Sequence, residues 1–111
     1  MGTPSPNRIT TRITCMWLQC AQPRLAEHIR YAQRILNRYD TNPTPRERLM
    51  LQHMAANAHT TISRLLDDLA ADWQSAGPIQ RRLLAATDRY ATPIMRRLQT
   101  VATTDTKETH P

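Results

Sequence analysis

A chain of 111 residues with two Gly, no Phe and a single Val amounts to one domain, long enough to bury roughly two thirds of its unfolded surface. Its aliphatic set of Leu, Ile, Ala and Met keeps rotamer freedom in helices, and so few Gly leave little material for hairpins, which argues against a β fold. The net charge of +6, carried by fourteen Arg and one Lys, argues against a cationic partner and for an anionic one.

Met1 to Asn7 holds Pro4 and Pro6 among small polar residues, so residues 1–8 read as a disordered tail. Over Ile9 to Cys20 two patterns compete. Ile9, Ile13, Met16, Trp17 and Cys20 recur at helical spacing, whereas the Thr-Ile-Thr content suits a strand. A short helix is preferred, because a lone strand would have no pairing partner elsewhere and Ser5-Pro6 resembles a helix start. Cys15 and Cys20 lie five apart, on different faces of such a helix, which excludes a bridge between them. No apolar run here is long enough for a signal core or a membrane span, so the expected location is the cytoplasm, with no membrane partner.

Pro23 to about Asp40 is a clear amphipathic helix. Leu25, Ile29, Ala32, Leu36 and Tyr39 share one side, flanked by Ile35, and Arg30, Arg34 and Arg38 share the other. Thr44 to about Ser75 is the longest predicted helix, about 45 Å. It opens on Thr44-Pro45-Arg46-Glu47, where Thr caps, Pro takes the first position and Glu can close a capping box. Its apolar face runs Leu51, Met54, Ala55, Ala58, Ile62, Leu65, Leu69 and Trp73, and Gly77 is the expected stop. Pro78 to about Ala102 is the last helix, with Ile79, Leu83, Ala86, Tyr90, Ile94 and Leu98 on one face. Pro93 inside it predicts a kink or a division into two shorter helices. Residues 103–111 are polar and Thr-rich and read as a second disordered tail. The fold class is therefore all-α: a small bundle of three main helices plus the short N-terminal helix, with the folded domain at 9–102.

The residues that carry chemistry fail on spacing. His28, His53, His59 and His110 match no zinc pattern, and His53 and His59 are six apart on different sides of one helix. With Gly2 and Gly77 the only glycines, no phosphate loop or oxyanion cradle is legible. Asp67, Asp68 and Asp72 have Arg64 three to four residues before the first two and read as its ion-pair partners. No cofactor, metal or catalytic residue is expected, and the chain does not read as an enzyme.

The positive signal is arginine in rows. Arg30, Arg34 and Arg38 repeat every four residues, with no carboxylate three or four positions from Arg34. Arg82, Arg89 and Arg96 repeat every seven, with Arg81 and Arg97 on their margins. Facing the same way, the two rows would make a groove suited to phosphate; facing apart, each would be an ordinary solvated face. Trp17 is either core or an exposed hydrophobic anchor. The expectation is a small nucleic-acid-binding accessory or regulator, with a homodimer of paired long helices as one arrangement. The alternative is an adaptor, inhibitor or antitoxin-like factor, of the kind mobile elements encode, that recognises an acidic face of a larger protein. No helix-turn-helix reader supports the first, since the position four before Gly77, normally small, is Trp73.

Overall fold

The computed structural model describes the backbone of residues 6–75 and 77–108 and the side chains of 12–75 and 77–104. Four helices follow in order: α1 (Pro6–Ala21), α2 (Pro23–Asp40), α3 (Pro45–Asp72) and α4 (Pro78–Glu108), with no strand among the described residues. The protein is all-α, the class its composition favours. The competition over residues 9–20 is resolved in favour of helix, and α1 is in fact longer, running from Pro6 to Ala21. Helix thus reaches into both segments read as tails, to Pro6 at one end and Glu108 at the other; residues 1–5 and 109–111 lie outside the described residues.

Each boundary has a local cause. Gln22 is the single residue between α1 and α2, and Pro23 takes the first turn of α2, where its missing N–H is no loss. After Asp40 the chain turns through Asn42, whose φ of 60° is the left-handed conformation that Asn tolerates better than most residues. Thr44 then caps α3, its hydroxyl accepting from the Glu47 N–H at 3.2 Å. The Glu47 carboxylate does not complete the capping box. It receives the Arg38 guanidinium instead, at 2.7 and 2.8 Å. The far end of α3 differs from expectation as well. The helix finishes at Asp72, and Gly77 serves the start of α4, where its N–H donates to Gln80 Oε1 at 3.1 Å. That is the side chain of the third helical residue reaching back to the cap.

Helices α2, α3 and α4 form an up-down-up bundle, and α1 packs against α2 and α4. Leu25, Ile29, Ala32, Ile35 and Leu36 of α2, Leu51, Ala55, Ala58, Ile62 and Leu69 of α3, and Leu98 and Val101 of α4 make the shared core, joined by Leu18 of α1. On α4 the buried side is rotated from the predicted seam: Thr87, Ala91 and Val101 are inside, while Ile79 is 75% exposed. Ile79 lies in the first turn of α4, beyond the end of α3, so its predicted place in the seam has no core to meet. Thr87 is tolerated inside because its hydroxyl donates to the Leu83 carbonyl at 2.7 Å. Gln52 is the less comfortable buried polar residue, 4% exposed, with no protein partner for its amide among the described residues. Pro93 does not divide α4. It is exposed, and its ring removes one backbone hydrogen bond on the solvent side while Ala91, Ile94 and Leu98 hold both flanks to the bundle.

Candidate functional site

Two polar contacts set α2 against α4. Gln33 donates to the Tyr90 hydroxyl at 3.3 Å, and Arg97 donates to both carboxylate oxygens of Asp40 at 2.7 Å. Gln33 and Asp40 are seven residues apart, as are Tyr90 and Arg97, so the two helices run parallel in one register. At about 100° per residue, Arg30 and Arg34 sit about 60° and 100° around α2 from Gln33, on the side away from Ile29 and Leu36. Arg82, Arg89 and Arg96 sit about 80° to 120° around α4 from Tyr90, away from Ala91 and Leu98. On the side of the seam away from α3, α1 packs against both helices, and the rows flank it. Both arginine rows therefore border the same seam.

Arg30, Arg34, Arg82, Arg89 and Arg96 are all exposed, and among the described residues none has a carboxylate partner. Arg38, the third member of the α2 row, differs: its guanidinium is forked onto Glu47. Arg97 is likewise held by Asp40. Arg64 pairs with neither Asp67 nor Asp68, contrary to the spacing argument. All three side chains are exposed, where such a pair gains little.

Helix α1 meets the seam at the level of Arg30. Cys15 and Leu18 of α1, Ala26, Ile29 and Arg30 of α2 and Tyr90 of α4 surround a space of about 30 Å³. Burial pushes the Tyr90 phenol above its ordinary value, and the adjoining Cys15 thiol adds to that rise, while the amide donated by Gln33 works against it. Trp17 is placed at the edge of the core, half-buried, with its ring centroid 5.2 Å from that of Trp73 and the planes 60° apart. Among the described residues, the large exposed apolar side chains of α1 are instead Ile13 and Met16, at 56% and 67%.

Among the described residues no group of three or more His, Cys, Asp or Glu is arranged to hold a metal ion. No described helix is long and apolar enough to cross a membrane. What the fold and surface define is an all-α bundle with exposed arginine rows on α2 and α4. No family model, characterised protein or solved structure matches the chain.

Proposed function

We propose that the arginine rows flanking the α2–α4 seam bind the phosphate backbone of nucleic acid, as part of a small accessory or regulatory protein. The observation that carries this reading is that Arg30 and Arg34 border the same seam as Arg82, Arg89 and Arg96, all exposed and without carboxylate partners among the described residues. Like charges at i and i+4 cost helix stability, and an external anion relieves that cost. Guanidinium forks pair with phosphate bidentately, and each phosphate neutralised releases counterions, so binding falls steeply with salt. With no reading helix in a groove, such contacts position the protein on the backbone and carry little sequence information. A cytoplasmic location and a homodimer belong to the same proposal, the latter to be checked by sedimentation.

The test is fluorescence anisotropy with labelled duplex and single-stranded probes at about 50 and 200 mM salt. Five phosphate contacts predict a loss of about a hundredfold or more in affinity across that range. Replacing Arg30, Arg34, Arg89 and Arg96 by Ala should weaken binding across all sequences and flatten the salt slope by about 3 to 4. Replacing the carboxylate-held Arg97 should change the slope by less than 1. Absence of binding to both probes at the lower salt would overturn the proposal.

A second reading, recognition of an acidic protein face, is favoured by Ile13 and Met16 standing exposed three residues apart on α1, beside the exposed Arg12. Absence of nucleic-acid binding at the lower salt would transfer the argument to this surface.

A further inference from the structure

On the other flank of α2, towards α3, lies an open cleft of about 350 Å³ whose lining includes Glu27, His28, Tyr31 and Arg34 of α2 and Asn57 and Thr61 of α3. Buried Ala58 also lines it, and its single methyl leaves room opposite Tyr31. Glu27, Tyr31 and Arg34 stand at i, i+4 and i+7, so acid, aromatic ring and base follow one another along one helical stripe. Some polar side chains of this protein find partners within it. Arg38 takes Glu47, Arg97 takes Asp40, and Thr60, Thr87, Thr92 and Thr100 each donate to the carbonyl four residues back. In the cleft Glu27, His28, Tyr31, Arg34, Asn57 and Thr61 make no side-chain hydrogen bond or ion pair among the described residues. Glu27 and Arg34 are separated by about 10.5 Å of helix rise, and no ion pair joins them.

We propose that this cleft binds an extended zwitterion of the ω-amino carboxylate class, of which lysine with a free α-carboxylate is the natural example. Glu27 holds the ammonium, the Tyr31 ring lies along the methylenes, and Arg34 takes the carboxylate in its fork. The antiparallel course of α3 puts Thr61 at the Glu27 end and Asn57 at the Arg34 end, where hydroxyl and amide add hydrogen bonds to each charged group. A simple anion meets Glu27 and a simple cation meets Arg34, each a like charge, so the cleft selects the molecule that carries both signs at matching separation. A volume of this size suits a small molecule or a single residue at a chain terminus. The inference does not rest on the nucleic-acid reading, although the two share Arg34.

The experiment is a titration of the full chain, followed by amide chemical shifts in two-dimensional NMR, with 6-aminohexanoate as the probe and hexanoate and hexylamine as single-charge controls. The expected result is saturable binding in the millimolar range or tighter, with shifts centred on residues 27–34 and 57–61. Each control should bind at least tenfold more weakly, and Glu27→Gln should lower the affinity for 6-aminohexanoate at least tenfold while leaving nucleic-acid binding equal or tighter. Hexanoate binding as well as 6-aminohexanoate would overturn the proposal, as would no saturable shift at all. Neither result bears on the Arg-row reading, whose assay uses no zwitterion. Lysine and Nα-acetyl-lysine then separate the two sources of this chemistry: equal binding identifies a polypeptide's C-terminal lysine, and preference for lysine identifies the free amino acid.

Discussion

At the α2–α3 turn the chain is held by directional polar contacts: Thr44 caps α3, Arg38 forks onto Glu47, Asn42 accepts from Arg48, and the Arg48 guanidinium lies 5.6 Å from the centre of the Tyr39 ring. At the opposite end, where α3 gives way to α4, the notable contact is between two indole rings, Trp17 of α1 and Trp73 beyond α3, with Ile79 left in solvent nearby in sequence. The difference teaches how the two ends are specified. Polar contacts fix an angle and a register but contribute little energy each at a surface, whereas ring burial contributes more and constrains direction less. The turn end sets how α2 and α3 align; the indole end decides whether α1 stays docked.

The largest effect should come from breaking the indole end. Trp73→Ala is expected to cost about 2–3 kcal/mol, at or below the bottom of the range for buried large aromatics because both rings are only half-buried. Urea denaturation measures it, and a double-mutant cycle with Trp17→Ala should return a coupling of about 1 kcal/mol. Zero coupling would mean that the ring contact does not hold α1, and a Trp17→Ala variant of unchanged stability would return Trp17 to the role of surface anchor. A smaller effect, about 1 kcal/mol, is expected when Thr44→Ala removes the α3 cap, read as a lower denaturation midpoint at unchanged slope. The smallest belongs to Arg38 and Glu47. Their side chains are 56% and 27% exposed, so a cycle between Arg38→Ala and Glu47→Ala should give about 0.5 kcal/mol, diminishing with salt. A coupling above that at the α3 cap would erase the contrast between the two ends.

Much of the helical layout was legible in residues that act locally. Pro23, the Thr44-Pro45 cap and Pro78 mark the starts of α2, α3 and α4 because proline and capping hydroxyls work within one turn of chain. Gly77 was legible as a joint, and its task was misassigned: a glycine between two helices can end one or start the next, and the Gln80 side chain made it a start. Gln52 and Thr87 were missed as interior residues because a hydrophobic pattern passes over polar side chains whatever their angle on the helix. The stripe of Glu27, Tyr31 and Arg34 was present in the spacing. What gave it meaning was the arrival of Asn57 and Thr61 from α3.

The sequence by itself determined an all-helical chain, the starts of its three long helices and the two arginine rows, since each depends on spacing along one helix. Only the tertiary structure decided that the rows border one seam, that Arg38 is spent on Glu47, and that Trp17 packs on Trp73. Those outcomes depend on the rotation and register of one helix against another. Both are set by jointly burying the apolar faces of all four, a sum over distant residues that no local pattern contains.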